Sequence, residues 1–265
     1  MLRRLAEGEV MTEQHVGINR DYWNGMASDW VSAGEKQWAS SEPKWGIWGL
    51  PEAELGLLTN DMDGMEAIEL GCGTGYVSRW MERRGAKVTG VDLSFEQLAT
   101  ARWLAAQHGS KVTFVKGNAE ALNFDDNSFD FAISEYGAAI WCDPDVWLRE
   151  AWRVLRPNGT LVYLGNHPLD GLCTPLNGAA CDDRLHRTYR GLSKLDWTVV
   201  EIDPGGIDFN RTFAGWLDLF RQIGFAVRDY MELFAPDDAT GAEFGVPPDW
   251  ARRFPAEQVW VLEKL

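Results

Sequence analysis

The chain has 265 residues, of which 45% are hydrophobic and 25% charged, and its formal net charge at pH 7 is −15. This length accommodates one α/β domain with a large buried core. The negative charge disfavours nucleic acid and anionic membranes as partners, and no stretch approaches the roughly 18 apolar residues of a membrane span.

The N-terminus begins with basic residues but lacks the apolar segment of a secretory signal. Arg3 and Arg4 are followed by Glu7 and Glu9, where a signal peptide needs an uninterrupted apolar run. The sequence therefore predicts a protein that is not exported and stays in the cytoplasm, with Met11 as an alternative start.

The cysteines are scattered along the chain and do not form a metal-binding pattern. No CxxC pair and no neighbouring histidine cluster accompanies them, so reduced thiols are expected and no metal site is predicted. The cysteines are Cys72, Cys142, Cys173 and Cys181.

The segment before residue 51 is rich in tryptophan. Residues 19–30 have a helical pattern, whereas residues 38–51 are predicted to be a loop because they are dense in Trp and Gly. From about residue 64, β-branched runs alternate with amphipathic helical stretches. The predicted strands are 67–70, 87–91, 112–116, 129–134, 160–165, 225–232 and 258–262, and the predicted helices are 76–84, 94–108, 146–155 and 213–223.

This alternation predicts a single α/β domain over residues 1–265, with a Rossmann-like, seven-stranded, mostly parallel sheet and helices on both faces. A turn at 156–159 is expected to separate the 146–155 helix from the fifth strand. We expect a helical flap at 12–50 and a core formed by 51–165 and 211–265. Residues 166–210 are too long and too irregular for an ordinary connection, so they are predicted to be a lid inserted after strand five.

A glycine-rich loop follows the first predicted core strand and opens a helix. It runs Glu69-Leu-Gly71-Cys-Gly73-Thr-Gly75. Absent side chains let a ligand approach the backbone, and the helix N-terminus supplies free N–H groups. The loop therefore indicates a nucleotide-type site, although glycines also form ordinary tight turns.

Asp92 ends the second predicted strand, 21 residues after Gly71, where a carboxylate accepts hydrogen bonds from ribose hydroxyls. The alternative role of Asp92 is to cap the following helix. A dinucleotide fingerprint would place its third glycine at position 76, where this chain has Tyr76, so NAD is disfavoured. The shorter loop with Glu69 before it suits a zwitterionic amino-acid tail.

These motifs resemble the class I S-adenosylmethionine-dependent methyltransferases that act on small molecules, of the methyltransferase type 11 kind. The resemblance covers about residues 64–165. It includes Val91-Asp92-Leu93-Ser94, Gly117-Asn118-Ala119-Glu120 and Leu155-Arg-Pro-Asn-Gly159. It implies methyl transfer to a small-molecule acceptor by in-line displacement, with S-adenosylmethionine as the methyl donor, S-adenosylhomocysteine as the product and no metal.

The resemblance also implies which residues bind the cofactor. Gly71 and Gly73 would line the methionine moiety, and Asp92 would hold the ribose. The adenine would lie near Leu93, Gln97, Asn118 and Ala119, although the family commonly has Asp where this chain has Asn118. The full predicted cofactor set is Trp48, Glu69, Gly71, Cys72, Gly73, Asp92, Leu93, Gln97, Asn118, Ala119, Glu120 and Ser134.

The acceptor site is predicted from aromatic and titratable residues near the expected sulfonium. His167 directly follows the fifth strand, and Tyr136 follows the fourth, so these two are the candidate catalytic residues. The predicted substrate-binding set is Trp45, Tyr136, Trp141, His167 and His186. By contrast, helical spacing predicts core packing for Trp80, Trp103, Trp152 and Trp216. Nothing in the sequence indicates an oligomeric state.

Two other functions share the predicted cofactor site. An aminopropyltransferase would carry paired acidic residues after strand four, whereas here Glu135 alone leads into Tyr-Gly-Ala-Ala-Ile. A non-catalytic S-adenosylmethionine-binding module would bind the cofactor without forming a methylated product.

Overall fold

A computed structural model describes the backbone of residues 2–265 and the side chains of residues 14–265. The helices in this part of the chain are α1 (Leu2–Met26), α2 (Val31–Ala39), α3 (Glu52–Leu55), α4 (Tyr76–Arg83), α5 (Phe95–His108), α6 (Ala138–Trp141), α7 (Pro144–Val154), α8 (Pro168–Cys173), α9 (Phe213–Ile223) and α10 (Pro248–Ala251). A 3-10 helix, Ala27–Trp30, joins α1 to α2. None of these helices is both long and apolar enough to cross a membrane.

The strands form one large sheet and two short hairpin-like pairs. They are β1 (Lys44–Trp45), β2 (Leu50–Pro51), β3 (Glu66–Leu70), β4 (Lys87–Asp92), β5 (Thr113–Lys116), β6 (Phe129–Glu135), β7 (Leu155–Asn166), β8 (Lys194–Asp196), β9 (Ile207–Phe209), β10 (Phe225–Leu233) and β11 (Glu257–Lys264). The large sheet has seven strands in the order β10-β11-β7-β6-β3-β4-β5. Strand β11 runs antiparallel to its neighbours β10 and β7, and the other strand pairs of this sheet are parallel. The predicted seven-stranded, mostly parallel α/β fold is therefore confirmed.

Helices cover both faces of the sheet because successive strand residues point to opposite sides. On one face, Ile68 packs with Trp147 of α7 and Trp216 of α9. On the other face, the neighbouring residue Ala67 packs with Trp80 of α4. This two-sided burial explains why consecutive residues of a central strand, such as Ala67 and Ile68, are both apolar.

The core strands and helices begin and end within a few residues of their predicted limits, with one exception. Strand β7 begins at Leu155, five residues earlier than predicted, because Leu155 already pairs with Phe129 of β6. The next pair is Phe131 with Thr160, so the predicted turn residues bulge out of the strand. Asn158 in this bulge has a positive φ of 65°.

The N-terminal segment contains more regular structure than its composition predicts. Trp38 was expected in a loop but lies in α2, where it is buried and its indole donates a hydrogen bond to the Thr74 carbonyl at 2.8 Å. Within the predicted loop, β1 and β2 form a short hairpin. The hairpin closes tightly because Gly46 and Gly49 adopt positive φ angles of 68° and 62°.

The predicted core position of Trp103 is wrong. Its side chain is 45% exposed, because α5 turns Leu98, Ala101 and Leu104 toward the core and leaves Trp103 on the opposite face. Trp80 and Trp216 are buried as predicted, and Trp152 is partly buried against the core.

Residues 166–210 leave the large sheet and return to it. They contain α8 and the antiparallel pair β8–β9, neither of which joins the seven-stranded sheet. The Asn210 side-chain amide donates to the Asn166 carbonyl at 2.8 Å, so the two ends of the segment meet. The segment therefore leaves the core and returns to it at the same place. Its role as a lid stays a prediction.

Candidate functional site

A cavity opens at the carboxyl edge of the parallel strands. Its floor consists of residues that follow β3, β4, β5 and β6, which are neighbours in the sheet. We call its cover the roof, formed by Val16, Asn19, Trp23 and Trp30. Open α/β sheets bind ligands at this edge, so the cavity is the candidate site.

The glycine loop forms one wall of the cavity in a conformation that requires glycine. Gly71, Gly73 and Gly75 have φ angles of 77°, 51° and 78°, in the left-handed region that L side chains rarely adopt. The Gly71 amide donates to the Val91 carbonyl at 2.8 Å, which ties the loop to β4. A Cβ on Gly71 would lie 2.5 Å from the Gly137 Cα, so the loop also packs directly against the segment after β6.

Alanine substitutions at two positions of this loop are expected to have different effects. A Cβ on Gly73 would meet only the Gln97 Oε1 atom, at 4.0 Å, so Gly73→Ala should keep the fold at a cost of about 1 to 2 kcal/mol for the left-handed backbone. Its methyl group would nevertheless occupy ligand space. Gly71→Ala adds a backbone clash and should lower the melting temperature further. Thermal unfolding and calorimetric titration with S-adenosylhomocysteine test both. Equal melting temperatures for the two variants, or undiminished affinity of Gly73→Ala, would contradict this reading of the loop.

Asp92 connects the glycine loop to the start of α5. Its Oδ2 accepts from the Gly73 amide at 2.7 Å and its Oδ1 accepts from the Ser94 amide at 2.8 Å. The cap of α5 is Ser94 itself, whose hydroxyl oxygen accepts from the Gln97 amide at 3.1 Å. Burial raises the pKa of Asp92, while the backbone donors oppose this shift. Asp92 therefore positions the loop and is not the helix cap. Leu93 lines the cavity beside it.

Glu69 is a buried carboxyl in the cavity wall. It is 2% exposed, and its Oε2 accepts from the Ser78 amide at 2.7 Å. Burial raises the pKa of Glu69 to about 8, and the negative charges of Glu135 and Asp92 add to this effect. An ammonium group bound beside Glu69 would favour its ionised form.

Two buried polar atoms of cavity-lining residues have no hydrogen-bond partner in the described part of the chain. They are the Gln97 Oε1 acceptor and the Trp141 Nε1 donor. Unpaired buried polar atoms are costly and rare, so each needs a reason. A polar ligand in the cavity would supply one donor and one acceptor.

Gly117, Asn118 and Ala119 extend the floor beyond β5. The Asn118 Oδ1 accepts from the Glu120 amide at 2.9 Å, so this oxygen already stabilises a turn. The resemblance suggested that Asn118 would accept from an adenine amine. The geometry leaves the side-chain NH₂ and the second lone pair of Oδ1 available to a ligand.

The roof is tied to the core by polar contacts at two levels. The Asn19 Nδ2 donates to the Trp141 carbonyl at 2.9 Å, and the Asn19 Oδ1 accepts from the Ile207 amide at 2.8 Å. One turn earlier, the His15 Nε2 lies 2.6 Å from the Glu120 Oε1. Glu120 therefore holds α1, and it does not line the cavity.

Aromatic side chains surround the roof. Trp23 packs edge-on against Trp141 with ring centroids 5.3 Å apart, and Trp30 lies 5.8 Å from Trp23. Tyr22 contacts Trp141 at 5.8 Å. These aromatic side chains thus come from α1, the 3-10 helix and α6, and the role of residues 12–50 as a flap stays a prediction.

Ligand binding is expected to slow amide hydrogen exchange in the roof. Residues 16–30 cover the cavity, so a ligand bound beneath them should suppress their local opening. Exchange with and without S-adenosylhomocysteine measures this effect, and strand β10 serves as the internal control because it lies at the far edge of the sheet. Protection confined to 71–75 would show that the roof does not close on the ligand.

Two tyrosine–glutamate pairs lie next to the β1–β2 hairpin. Tyr76 and Glu135 both line the cavity, and the Tyr76 hydroxyl donates to the Glu135 Oε2. Tyr136 also lines the cavity, and its hydroxyl donates to the Glu257 Oε1 at 2.7 Å. The hairpin contributes the Gly46 amide, which donates to the Glu135 Oε1 at 3.1 Å.

Six predicted site residues lie outside the cavity wall, among them Glu120 and three side chains that have structural contacts. The Trp45 indole is fully buried and donates to the Glu52 Oε2 at 2.7 Å. Trp48 packs in a separate apolar cluster around Trp250. The Ser134 hydroxyl donates to the Leu70 carbonyl at 2.7 Å and so joins β6 to β3.

The two histidines predicted near the acceptor are the remaining members of this group. The His167 Nδ1 caps α8 by accepting from the Leu169 amide at 3.1 Å, and burial lowers the pKa of His167 to about 4. The His167 Nε2 lies 3.5 Å from the Glu232 Oε1, at the limit of an ion pair and without a hydrogen bond. The His186 Nε2 lies 2.9 Å from the Asp182 Oδ1. Neither side chain lines the cavity.

Other cavity residues were not predicted as part of the site. Thr74 and Tyr76 belong to the glycine-loop region, and their position next to it is a signal that sequence reasoning had available. Val16 and Asn19 carry no such signal, because only the packing of α1 places them over the sheet. The remaining lining residues outside the predicted site set are Trp23, Trp30, Val91, Gly117, Glu135, Gly137, Ala138 and Cys142.

The described residues show no metal cluster and no disulfide. No group of three or more His, Cys, Asp or Glu in this part of the chain is placed to hold a metal ion. All four cysteines lie in the same part and are free thiols.

Comparison with known proteins gives a family match to the central part of the chain. Residues 68–163 match the family described as methyltransferase domain. The chain is 37% identical over 140 residues to a malonyl-acyl-carrier-protein O-methyltransferase of Pectobacterium atrosepticum, over 52% of this chain and 51% of that protein. It is 37% identical over 99 residues to a demethylmenaquinone methyltransferase of Thermus thermophilus, over 37% of this chain and 45% of that protein. The chain thus spans about half the length of the curated relatives it matches.

A solved structure matches over most of the chain. The crystal structure of an S-adenosylmethionine-dependent methyltransferase from Mesorhizobium loti superposes with a TM-score of 0.65 at 25% identity. The match covers 83% of this chain and 100% of that chain.

Proposed function

We propose that this chain, which carries a class I S-adenosylmethionine-dependent methyltransferase domain at residues 68–163, transfers the methyl group of S-adenosylmethionine to a small-molecule acceptor. The observation that carries the proposal is the cavity itself. It brings the glycine loop, Asp92 and the unpartnered Gln97 oxygen together at the carboxyl edge of the sheet.

The residues in the cavity fit the chemical groups of S-adenosylmethionine. The Glu69 carboxyl suits the ammonium of the methionine moiety, and Asp92 has lone pairs left for ribose hydroxyls. The unpartnered Gln97 oxygen suits a hydroxyl or amine donor. A Cβ on Gly73 would meet nothing closer than 4.0 Å, so the space beside this glycine is open to a ligand.

The bound cofactor supplies an activated methyl group on a sulfonium, so the protein has mainly to align the acceptor and exclude water. The roof excludes water, because Trp23 and Trp30 cover the cavity. The aromatic faces of Trp23 and Trp141 also favour a cation beneath them. The glycine loop and Asp92 hold the cofactor in one orientation.

The acceptor is proposed to be a small molecule and not a nucleic acid. The cavity wall includes the carboxyls of Glu69, Asp92 and Glu135, and none of its residues is Lys, Arg or His. A polyanion would also meet the net charge of −15. Since the roof encloses the cavity from α1, a compact acceptor fits better than a polymer.

Of the two alternative functions, aminopropyl transfer has the weaker support. It needs acidic residues free to deprotonate an amine, whereas Glu135 is already bonded by the Tyr76 hydroxyl and the Gly46 amide. A binding module without turnover would show the same cofactor affinity, so only an activity measurement separates it from an enzyme.

One experiment tests the proposal directly. The protein is incubated with S-adenosylmethionine carrying a labelled methyl group and a mixed metabolite extract, and labelled products are identified by mass spectrometry. We expect one labelled small molecule together with S-adenosylhomocysteine. Tight binding without any labelled product would favour the binding module, and a labelled aminopropyl adduct would favour the other enzyme.

A further inference from the structure

Tyr136 and Glu257 form a hydrogen-bonded pair that leads from the cavity wall into the protein interior. Tyr136 lines the cavity, whereas Glu257, the first residue of β11, is 0% exposed. The Tyr136 hydroxyl donates to the Glu257 Oε1 at 2.7 Å. The pair therefore connects the cavity to a carboxyl that solvent does not reach.

Glu257 lacks a cationic partner among the residues the structure describes. Its Oε1 also accepts from the Ile47 amide at 2.9 Å, and its Oε2 has no hydrogen-bond partner there. The titratable groups that face it are Glu135 at the end of β6, Tyr136 directly after it, and Asp170 on α8. A buried carboxyl in such surroundings is costly to ionise and readily takes up a proton.

Both members of the pair have surroundings that hold them in place. Tyr136 has a φ of 52°, in the left-handed region that residues other than glycine rarely adopt, and such strain clusters at functional sites. Opposite it, a Cβ on Gly46 would lie 2.2 Å from the Glu257 Oε1, so the β1–β2 hairpin packs closely on the carboxyl.

The pair has properties that suit proton transfer near neutral pH. Burial raises the pKa of Glu257 to about 8, with the charges of Glu135 and Asp170 adding to the shift. Burial and the neighbouring Glu257 charge raise the pKa of Tyr136 well above its ordinary value, so its hydroxyl stays protonated. Tyr136 can therefore pass a proton on but does not store one.

We propose that Tyr136 and Glu257 form a proton relay for a hydroxyl acceptor, so that the reaction is the O-methylation of an alcohol or a phenol. This inference rests on the proposed methyltransferase function. The acceptor oxygen forms a bond to the methyl carbon while the bond from that carbon to sulfur breaks and leaves its electrons on sulfur. The acceptor proton moves to the Tyr136 oxygen as the Tyr136 proton moves to the Glu257 carboxylate. After product release, the proton returns to solvent by the same path.

The chemistry of the acceptor decides whether such a relay is needed. A hydroxyl is a weak nucleophile until its proton is removed, whereas a neutral amine or a thiolate attacks without a base. A carboxylate acceptor also needs no base, and it would meet the three carboxyls of the cavity wall, which has no Lys, Arg or His to hold it. The relay and the charge of the wall both point to an uncharged hydroxyl.

The kinetic test uses Tyr136→Phe and Glu257→Gln with a panel of alcohols, phenols, amines, thiols and carboxylic acids and labelled S-adenosylmethionine. We expect a hydroxyl compound to be methylated, with kcat rising tenfold per pH unit below about pH 8. Each variant should lower kcat by about 10² to 10⁴ and lose this pH dependence while keeping the affinity for S-adenosylhomocysteine. Tyr230→Phe is the matched control, because its hydroxyl lies 3.4 Å from the Glu232 Oε1 on the outer strand β10.

A measurement without turnover tests the carboxyl itself. The infrared difference spectrum between the wild type and Glu257→Gln, both with S-adenosylhomocysteine, should contain a protonated-carboxyl band that disappears as the pH rises through about 8. A Glu257 that stays ionised or stays protonated from pH 6 to 9 overturns the relay. A labelled product that is an amine, a thioether or an ester also overturns the relay. The same holds if the protein binds the cofactor but methylates no hydroxyl compound, or if the variants keep the full kcat of the wild type. Failure of the wild type to bind S-adenosylmethionine would instead contradict the proposed function.

Discussion

Asp92→Ala is expected to weaken S-adenosylhomocysteine binding by about 1.5 to 3 kcal/mol, which is roughly a 10- to 150-fold rise in Kd. Two effects contribute. The variant loses a carboxylate that can accept from ribose hydroxyls, and it releases the Gly73 amide that Asp92 now holds at 2.7 Å. Isothermal titration calorimetry measures the change in Kd.

A second variant and a control separate these two effects. Asp92→Asn keeps a side-chain oxygen for the Gly73 amide but removes the charge, so it should lose less affinity than Asp92→Ala. Asp61→Ala is the control, because Asp61 is an exposed aspartate that likewise accepts from a backbone amide two residues later, at 2.9 Å. If Asp92→Ala binds as tightly as Asp61→Ala while both remain folded, Asp92 is not part of the site.

The ligand-free protein is expected to lose stability as the pH rises from about 4.5 to about 8. Burial raises the pKa values of Glu69 and Glu257 to about 8 from an ordinary value of 4.5. A carboxyl with a higher pKa in the folded state binds its proton more tightly there than in the unfolded chain. Its stabilising contribution is complete below the unfolded pKa and is lost as the pH rises through the folded pKa. Each group accounts for an effect on the order of 4 kcal/mol.

Scanning calorimetry at pH 5, 6.5 and 8 measures this loss. Glu69→Gln should show a shallower fall in melting temperature than the wild type, because an amide does not titrate. Glu54→Gln is the matched control, since Glu54 is an exposed residue of α3 and should follow the wild type. An equal fall in melting temperature for the wild type and Glu69→Gln between pH 5 and 8 would show that the Glu69 carboxyl is not buried as the structure has it.

The Glu69 carboxyl also links ligand binding to proton release. If the methionine ammonium binds beside Glu69, the bound state favours the ionised carboxylate and a proton leaves on binding near pH 7. Titrations with S-adenosylhomocysteine in two buffers of different ionisation enthalpy count this proton. Glu69→Gln should release less than the wild type, and an equal count in both proteins would place the ammonium elsewhere.

The sequence alone was sufficient for the sheet and for most of the residues that line the cavity floor. The glycine loop, Asp92, Gln97 and Asn118 all line one cavity, because each follows a parallel strand and such strands end at the same edge. The loop can also be recognised in the sequence, because its backbone conformation requires glycine at 71, 73 and 75. These features depend on residues that are close together along the chain. Spacing and composition carry information over such short sequence distances.

The acceptor half of the site was decided by contacts between distant segments. His15 meets Glu120 across 105 positions, and Tyr136 meets Glu257 across 121. Trp45, predicted at the substrate, is instead held in the core by Glu52 and Trp80. Local patterns identify the side chains that are able to do chemistry, but only the packing of α1, the β1–β2 hairpin and β11 against the sheet selects which of them reach the cavity. That selection depends on close packing in three dimensions, and no short-range periodicity along the chain records it.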